Sequence, residues 1–206
     1  MNKTVQPNSQ LFTIAILIAT ASIGCSDRGT PTADAKNAQP GSSSNTVSPS
    51  EPVSAPDTSL MDAAVKGNAG VVRQHIAAGT DLNQRNSEGA TALIAAASLG
   101  QNETAILLIE GGADLEVRNN EGSTALHTAA FLCRMEIVKA LLAKGADKDA
   151  RNDAGSTAFD SVAGPFDDVK PVYDFLQAAL GPLGQELNYE RIKATRPKMA
   201  EILRDK

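Results

Sequence analysis

Residues 112–130 read GADLEVRNNEGSTALHTAA, and residues 145–163 read GADKDARNDAGSTAFDSVA. The second stretch restates the first after 33 positions, and the register extends upstream. Gly89, Gly122 and Gly155 align, as do Thr91, Thr124 and Thr157, and then Leu93, Leu126 and Phe159. Gly79, Gly112 and Gly145 form another column, each followed by an aspartate, Asp81, Asp114 or Asp147. Arg85, Arg118 and Arg151 stand beside Asn86, Asn119 and Asn152. Composition alone does not generate so many columns at one spacing. From about residue 58 the chain is a repeat array whose units shelter one another's apolar faces.

Each unit has the same local grammar. TALIAAASLG (91–100) predicts a short helix capped by Thr91 and stopped by Gly100, which accepts a positive φ. NETAILLIEGG (102–112) predicts a second helix, and MEIVKALLAKG (135–145) places Ile137, Val138, Leu141 and Leu142 on one stripe at helical spacing. The Asn-x-x-Gly segments between units reverse the chain. Ala95, Ala96, Ala97, Ala129 and Ala130 are small enough for close helix approach.

The pattern resembles the ankyrin repeat family, matched best by GSTALHTAA and LLAKGAD, over residues 58 to about 180. The family's proline is replaced by Ala92, Ala125 and Ala158, and its histidine survives as His127. The resemblance implies an all-α solenoid of helix-turn-helix repeats with finger-like turns, and units at about 58–87, 88–120, 121–153 and 154–187. The first unit opens with a polar-faced helix, as the family's N-terminal caps do. In the fourth, Pro165 and Pro171 predict irregular backbone, after which Val172, Phe175, Leu176, Ala179 and Leu180 restore a helical stripe. Residues 188–206 carry Met199, Ile202 and Leu203 at helical spacing and are expected to cap the stack.

Upstream, LFTIAILIATASIG (11–24) is an apolar run with the length and flanks of a secretory signal core, too short to span a bilayer comfortably. Cys25 closes it, and ASIGC resembles the lipobox of bacterial lipoproteins, with Ser22 where leucine is usual. That resemblance implies residues 1–24 as signal peptide and Cys25 as the lipid-attachment residue. Cleavage after Ala21 is the rival reading. Ser26 after Cys25 implies outer-membrane sorting under the enterobacterial rule. Residues 26–57 contain no aromatic residue and two large aliphatics, Val47 and Val53, so they read as a disordered tether of about 30 Å mean span. Cys133 is then the remaining cysteine, and no internal disulfide is expected. The net charge of −5 argues against a nucleic-acid partner.

Catalytic readings find little support. His75 falls in a helical column with Leu108 and Leu141 and reads as a half-buried packing residue. The resemblance assigns His127 to holding its turn by hydrogen bonding. Cys133 shares the column of Gly100 and reads as a small buried thiol, while Asp167 and Asp168 read as solvated. No zinc-protease, CxxC, phosphate-loop or nucleophile-elbow pattern is present, so neither metal nor cofactor is expected. Each Arg of the 85, 118 and 151 column lies four residues after an Asp, which predicts exposed ion pairs of roughly 0–1 kcal/mol.

The positions that the family leaves variable and exposed map to Arg85, Ser87, Glu88, Ala90, Ser98 and Leu99 in the second unit. In the third they are Arg118, Asn120, Glu121, Ser123, Phe131 and Leu132. Facing the concave groove, Phe131 and Leu132 would make an apolar anchor of the kind found at interface centres; the alternative is that Phe131 tucks under the irregular fourth unit. The expected function is a monomeric, non-enzymatic module in the cell envelope that binds another protein through finger turns and groove. Its membrane contact is confined to the lipid anchor. The alternative is an inhibitor or immunity-type regulator of an envelope enzyme or toxin.

Overall fold

The computed structural model describes residues 55–181 and 186–204. The signal segment, Cys25 and residues 26–54 of the tether lie outside the described residues, as do the side chains of Ala179 and Leu180. Among the described residues all regular structure is helical: α1 (Leu60–Lys66), α2 (Ala69–Ala77), α3 (Ala92–Leu99), α4 (Asn102–Glu110), α5 (Ala125–Phe131), α6 (Met135–Ala143), α7 (Asp160–Ala163), α8 (Phe166–Leu180) and α9 (Tyr189–Arg204).

The helices form two layers. α1, α3, α5 and α7 stack successively as the inner layer, and α2, α4 and α6 stack behind them. Of these, α1, α3 and α5 each also pack on the outer helix of their own unit. An inner helix is therefore covered on several sides, which is why α3 is apolar nearly all round and buries every residue from Ala92 to Ser98. Outer helices bury one stripe; α6 buries Ile137, Val138 and Leu141.

The caps follow the sequence grammar. Thr91 Oγ1 accepts the Ile94 N–H at 3.3 Å to open α3, and Gly100 ends it at φ 71°. Thr124 and His127 form a reciprocal capping box at the start of α5. At the ends of the inner helices, Gly67, Gly100 and Cys133 all have positive φ, and Cys133 at 54° is the non-glycine among the described residues that does so. Space as well as φ selects glycine at the first two. A Cβ on Gly67 would meet the Gln101 side chain, and one on Gly100 the Arg134 guanidinium. Those side chains are clasps: Gln101 Nε2 donates to the Val65 carbonyl at 3.1 Å, and Arg134 donates to the Ser98 carbonyl at 3.2 Å. The same bond thus recurs one repeat later.

The fourth unit departs from the register. Pro165 precedes α8, and Pro171 lies within it without ending it. The backbone is irregular at Gly164 and Pro165, as expected, and the expectation is corrected at Pro171, which is exposed and lies inside a continuous helix. α8 does not extend the outer layer. Its Val172, Tyr173 and Leu176 close over Phe131, Leu132 and Cys133 at the end of α5, together with Ile192 of α9. α9 is one helix that accommodates Pro197, pairs with α7, and sends Met199, Ala200 and Leu203 into the main core.

Candidate functional site

The turns between units form three fingers, at residues 83–90, 116–123 and 149–156. Each is built around an asparagine. Asn86 Oδ1 accepts the N–H groups of Glu88 and Ala90 at 3.0 and 2.9 Å, Asn119 those of Glu121 and Ser123 at 3.1 and 2.8 Å, and Asn152 those of Ala154 and Ser156 at 3.1 and 3.0 Å. The asparagine backbone N–H closes the turn onto the carbonyl of Ala90, Ser123 or Ser156. One side-chain oxygen therefore satisfies two amides that the tight reversal leaves without sheet partners.

The fingers are bonded to one another. Asn120 N–H donates to the Glu88 carbonyl at 3.1 Å, and Asp153 N–H donates to the Glu121 carbonyl at 3.0 Å. Asn120 Nδ2 adds a bond to the Ser87 carbonyl at 3.0 Å. Closer to the outer helices, Asp114 N–H reaches Asn83 Oδ1 and Asp147 N–H reaches Glu116 Oε1, each at 2.8 Å. His127 bridges inner helix and finger. Its Nδ1 accepts the Thr124 N–H, and its Nε2 faces the Ser156 carbonyl at 3.0 Å, which places the proton on Nε2. Burial holds this imidazole below its ordinary pKa.

The arginine column does not pair with the aspartate column. Arg85 Nε donates to the Gly89 carbonyl at 3.0 Å, Arg151 donates to the Gly155 carbonyl at 2.6 Å, and Arg118 reaches across to the Arg151 carbonyl at 2.7 Å. Asp81, Asp114 and Asp147 instead accept the N–H two residues on. The expected Asp–Arg pairs are corrected on that ground: Arg85 and Arg151 bond their own turns, Arg118 bonds the next finger, and the aspartates bond backbone two residues on.

Of the residues proposed for partner contact, Arg85, Ser87, Arg118 and Asn120 are exposed, and Glu88 and Leu99 are partly exposed. All but Leu99 sit on the first two fingers, and Leu99 is the last residue of α3. The remaining six are buried, which corrects the expectation of exposure. Ala90 and Ser123 turn back into the core where their amides meet Asn86 and Asn119. Ser98 Oγ bonds its own helix at the Ile94 carbonyl, 2.9 Å away. Glu121 is 8 % exposed, with neither carboxylate oxygen hydrogen-bonded among the described residues. Burial raises its pKa, its own backbone N–H pulls the other way, and Glu88 and Asp153 add like charge.

Phe131 and Leu132, at 2 % and 1 % exposure, are no groove anchor. The Phe131 ring stacks on Tyr173 with centroids 4.8 Å apart, and Tyr173 Oη donates to the Phe131 carbonyl at 2.5 Å. Arg196, itself buried, donates to Tyr173 Oη at 3.2 Å and to the carbonyls of Ser161 and Gly164 at 3.0 and 3.1 Å. Tyr173 and Arg196 escaped the sequence reading because they lie outside the 33-residue register. Gln101 and Arg134 were legible in principle, each standing directly after a member of the Gly100 and Cys133 column.

The other chemical candidates are structural. His75 is buried where half-burial is expected, with Nε2 2.7 Å from the Thr58 carbonyl and Nδ1 3.1 Å from Thr80 Oγ1. Cys133 is buried, and desolvation pushes its thiol up to about 11 even though Arg196, Arg191 and Arg134 pull it down. Asp167 and Asp168 are exposed in the first turn of α8. Among the described residues no three His, Cys, Asp or Glu side chains converge as a metal site.

A sequence-family model described as ankyrin repeats, in three copies, matches residues 60–152. No curated protein matches the chain. The matched residues run from the start of α1 into the third finger, and the first two fingers and helices α1 to α6 lie within them. Residues 60–152 are ankyrin repeats.

Proposed function

We propose that this chain is a non-enzymatic protein-binding module held in a bacterial cell envelope, and that it meets its partner with the finger face. Ankyrin repeats are generally protein–protein interaction modules. The observation that carries the assignment to the fingers is the split within the candidate residues. Arg85, Ser87, Arg118 and Asn120 stay exposed in register, while the would-be apolar groove at Phe131 is closed by α8. A rigid, hydrogen-bonded row of fingers presents these side chains with little ordering left to be done on binding. Arginine is a favoured anchor at interfaces.

Cross-linking the chain in its membrane fraction, with Arg118→Glu and Phe131→Ser variants alongside, tests this reading. Capture lost on Arg118→Glu with an unchanged helical spectrum is the expected result. Capture that survives both Arg118→Glu and Arg85→Glu removes the finger face as the binding site. The envelope placement rests on the apolar run 11–24 and Cys25. Incorporation of labelled palmitate, lost in Cys25→Ser, supports acylation; no incorporation assigns the chain to cleavage without an anchor.

A further inference from the structure

The fingers carry more acid than base. Residues 83–90, 116–123 and 149–156 hold Glu88, Glu116, Glu121, Asp149 and Asp153 against three arginines. Those arginines bond the backbone carbonyls of Gly89, Arg151 and Gly155. None of the five carboxylates forms an ion pair among the described residues.

Stacking brings three of them together. Asp153 donates its backbone N–H to the Glu121 carbonyl at 3.0 Å, and Asn120, next to Glu121, donates to the Glu88 carbonyl at 3.1 Å. The Asp153 carboxylate lies against Gly122, where it leaves no room for a Cβ. Glu88 and Asp153 are the like charges that act on Glu121, one from each neighbouring finger. Glu121 itself is 8 % exposed, and neither of its carboxylate oxygens is bonded by another described residue. An ionisable group held this way lowers stability, and such costs gather where function needs the group.

Among the described residues no three acidic side chains close up as metal ligands do. The spread over three fingers suits an organic cation with several N–H donors, such as a guanidinium. The chain's net charge of −5 favours the approach of a basic partner.

We propose that the partner presents a basic side chain, arginine above all, to the notch formed by Glu88, Glu121 and Asp153 across the three fingers. This rests on the finger-face reading and adds the partner's charge to it. Rotation about the Glu121 side-chain bonds carries the carboxylate outward to the incoming donors, and a poorly hydrated charge becomes a paired one.

The probe is an acetylated, amidated peptide of alternating arginine and glycine, titrated into the full chain in micelles of a zwitterionic detergent. The same peptide with citrulline for arginine is the neutral control. The Asn120, Glu121 and Gly122 amide resonances should move with the arginine peptide and stay in place with citrulline. Glu121→Gln should weaken binding roughly tenfold, the loss of one charge-assisted hydrogen bond, while melting no lower than the unaltered chain. Asp167→Asn with Asp168→Asn, on α8, should leave binding unchanged. Equal weakening by both variants, or equal binding of the citrulline peptide, overturns the notch. Partner capture that Arg118→Glu abolishes and Glu121→Gln keeps overturns it too, and leaves the finger face standing. Capture that survives both Arg118→Glu and Arg85→Glu removes finger face and notch together.

Discussion

Glu121 holds a carboxylate largely out of water at the tip of the second finger, where its own backbone N–H offsets only part of the lost hydration. Leaving such a group unsatisfied costs on the order of 1–3 kcal/mol, and Glu88 and Asp153 add repulsion. The folded-state pKa lies above the ordinary 4.5, so the favourable contribution of the protonated form is complete below 4.5. It is lost as pH rises through the folded value, and at neutral pH the ionised side chain opposes folding. Glu121→Gln is therefore expected to raise the melting temperature by a few degrees at pH 7, with the gain shrinking toward pH 4. An equal effect at both pH values would tie the change to packing instead of charge. His127 works in the opposite sense: its pKa is lowered, so its contribution is complete above 6.5 and fades on acidification.

Cys133 carries a second residue-scale cost, a positive φ at a position where the two earlier units have glycine. Its Sγ lies 3.8 Å from the Ile192 carbonyl, so the side chain is packed by the C-terminal helices. With a thiol pKa of about 11 and full burial, it should resist thiol reagents in the native state. Labelling then reports the opening of α8 and α9. Ile192→Ala, at about 2–5 kcal/mol for a buried isoleucine, is expected to speed labelling of Cys133 markedly. Labelling of the unaltered chain at the rate of a free thiol would show that the cover is absent in solution.

At the scale of elements, the repeated helices were legible because each unit states its cap, stripe and stop in the same columns. Thr91 and Gly100 were assigned from sequence and stand where assigned. The partner-facing residues were less legible. Exposure depends on what packs over a position, and Phe131 looks the same in sequence whether it meets solvent or Tyr173. The cover, α8, lies outside the repeat register, so periodicity could not reveal it. The arginine column failed for a related reason: spacing showed the aspartates nearby but not the free carbonyls nearer still. α9 reaches into both apolar clusters, through Ile192 in one and Met199, Ala200 and Leu203 in the other. Removing residues 188–206 should lower the melting temperature substantially and expose Cys133. A truncated chain with unchanged melting would leave that helix without a structural role.

For the molecule as a whole, neighbouring units are joined by apolar stacking, by clasps at Gln101 and Arg134, and by backbone bonds between fingers. The units are thus locked in register, and the exposed finger residues hold fixed spacings from one another. Hydrogen exchange of the Asn120 and Asp153 amides measures this lock most directly, since each donates to the preceding finger. Stacked fingers require both amides to exchange as slowly as the buried amides of α3 and α5, through openings that separate one unit from the next. Exchange of both at the rate of unprotected loop amides, while the helices stay protected, would show fingers moving independently and would contradict a single rigid row.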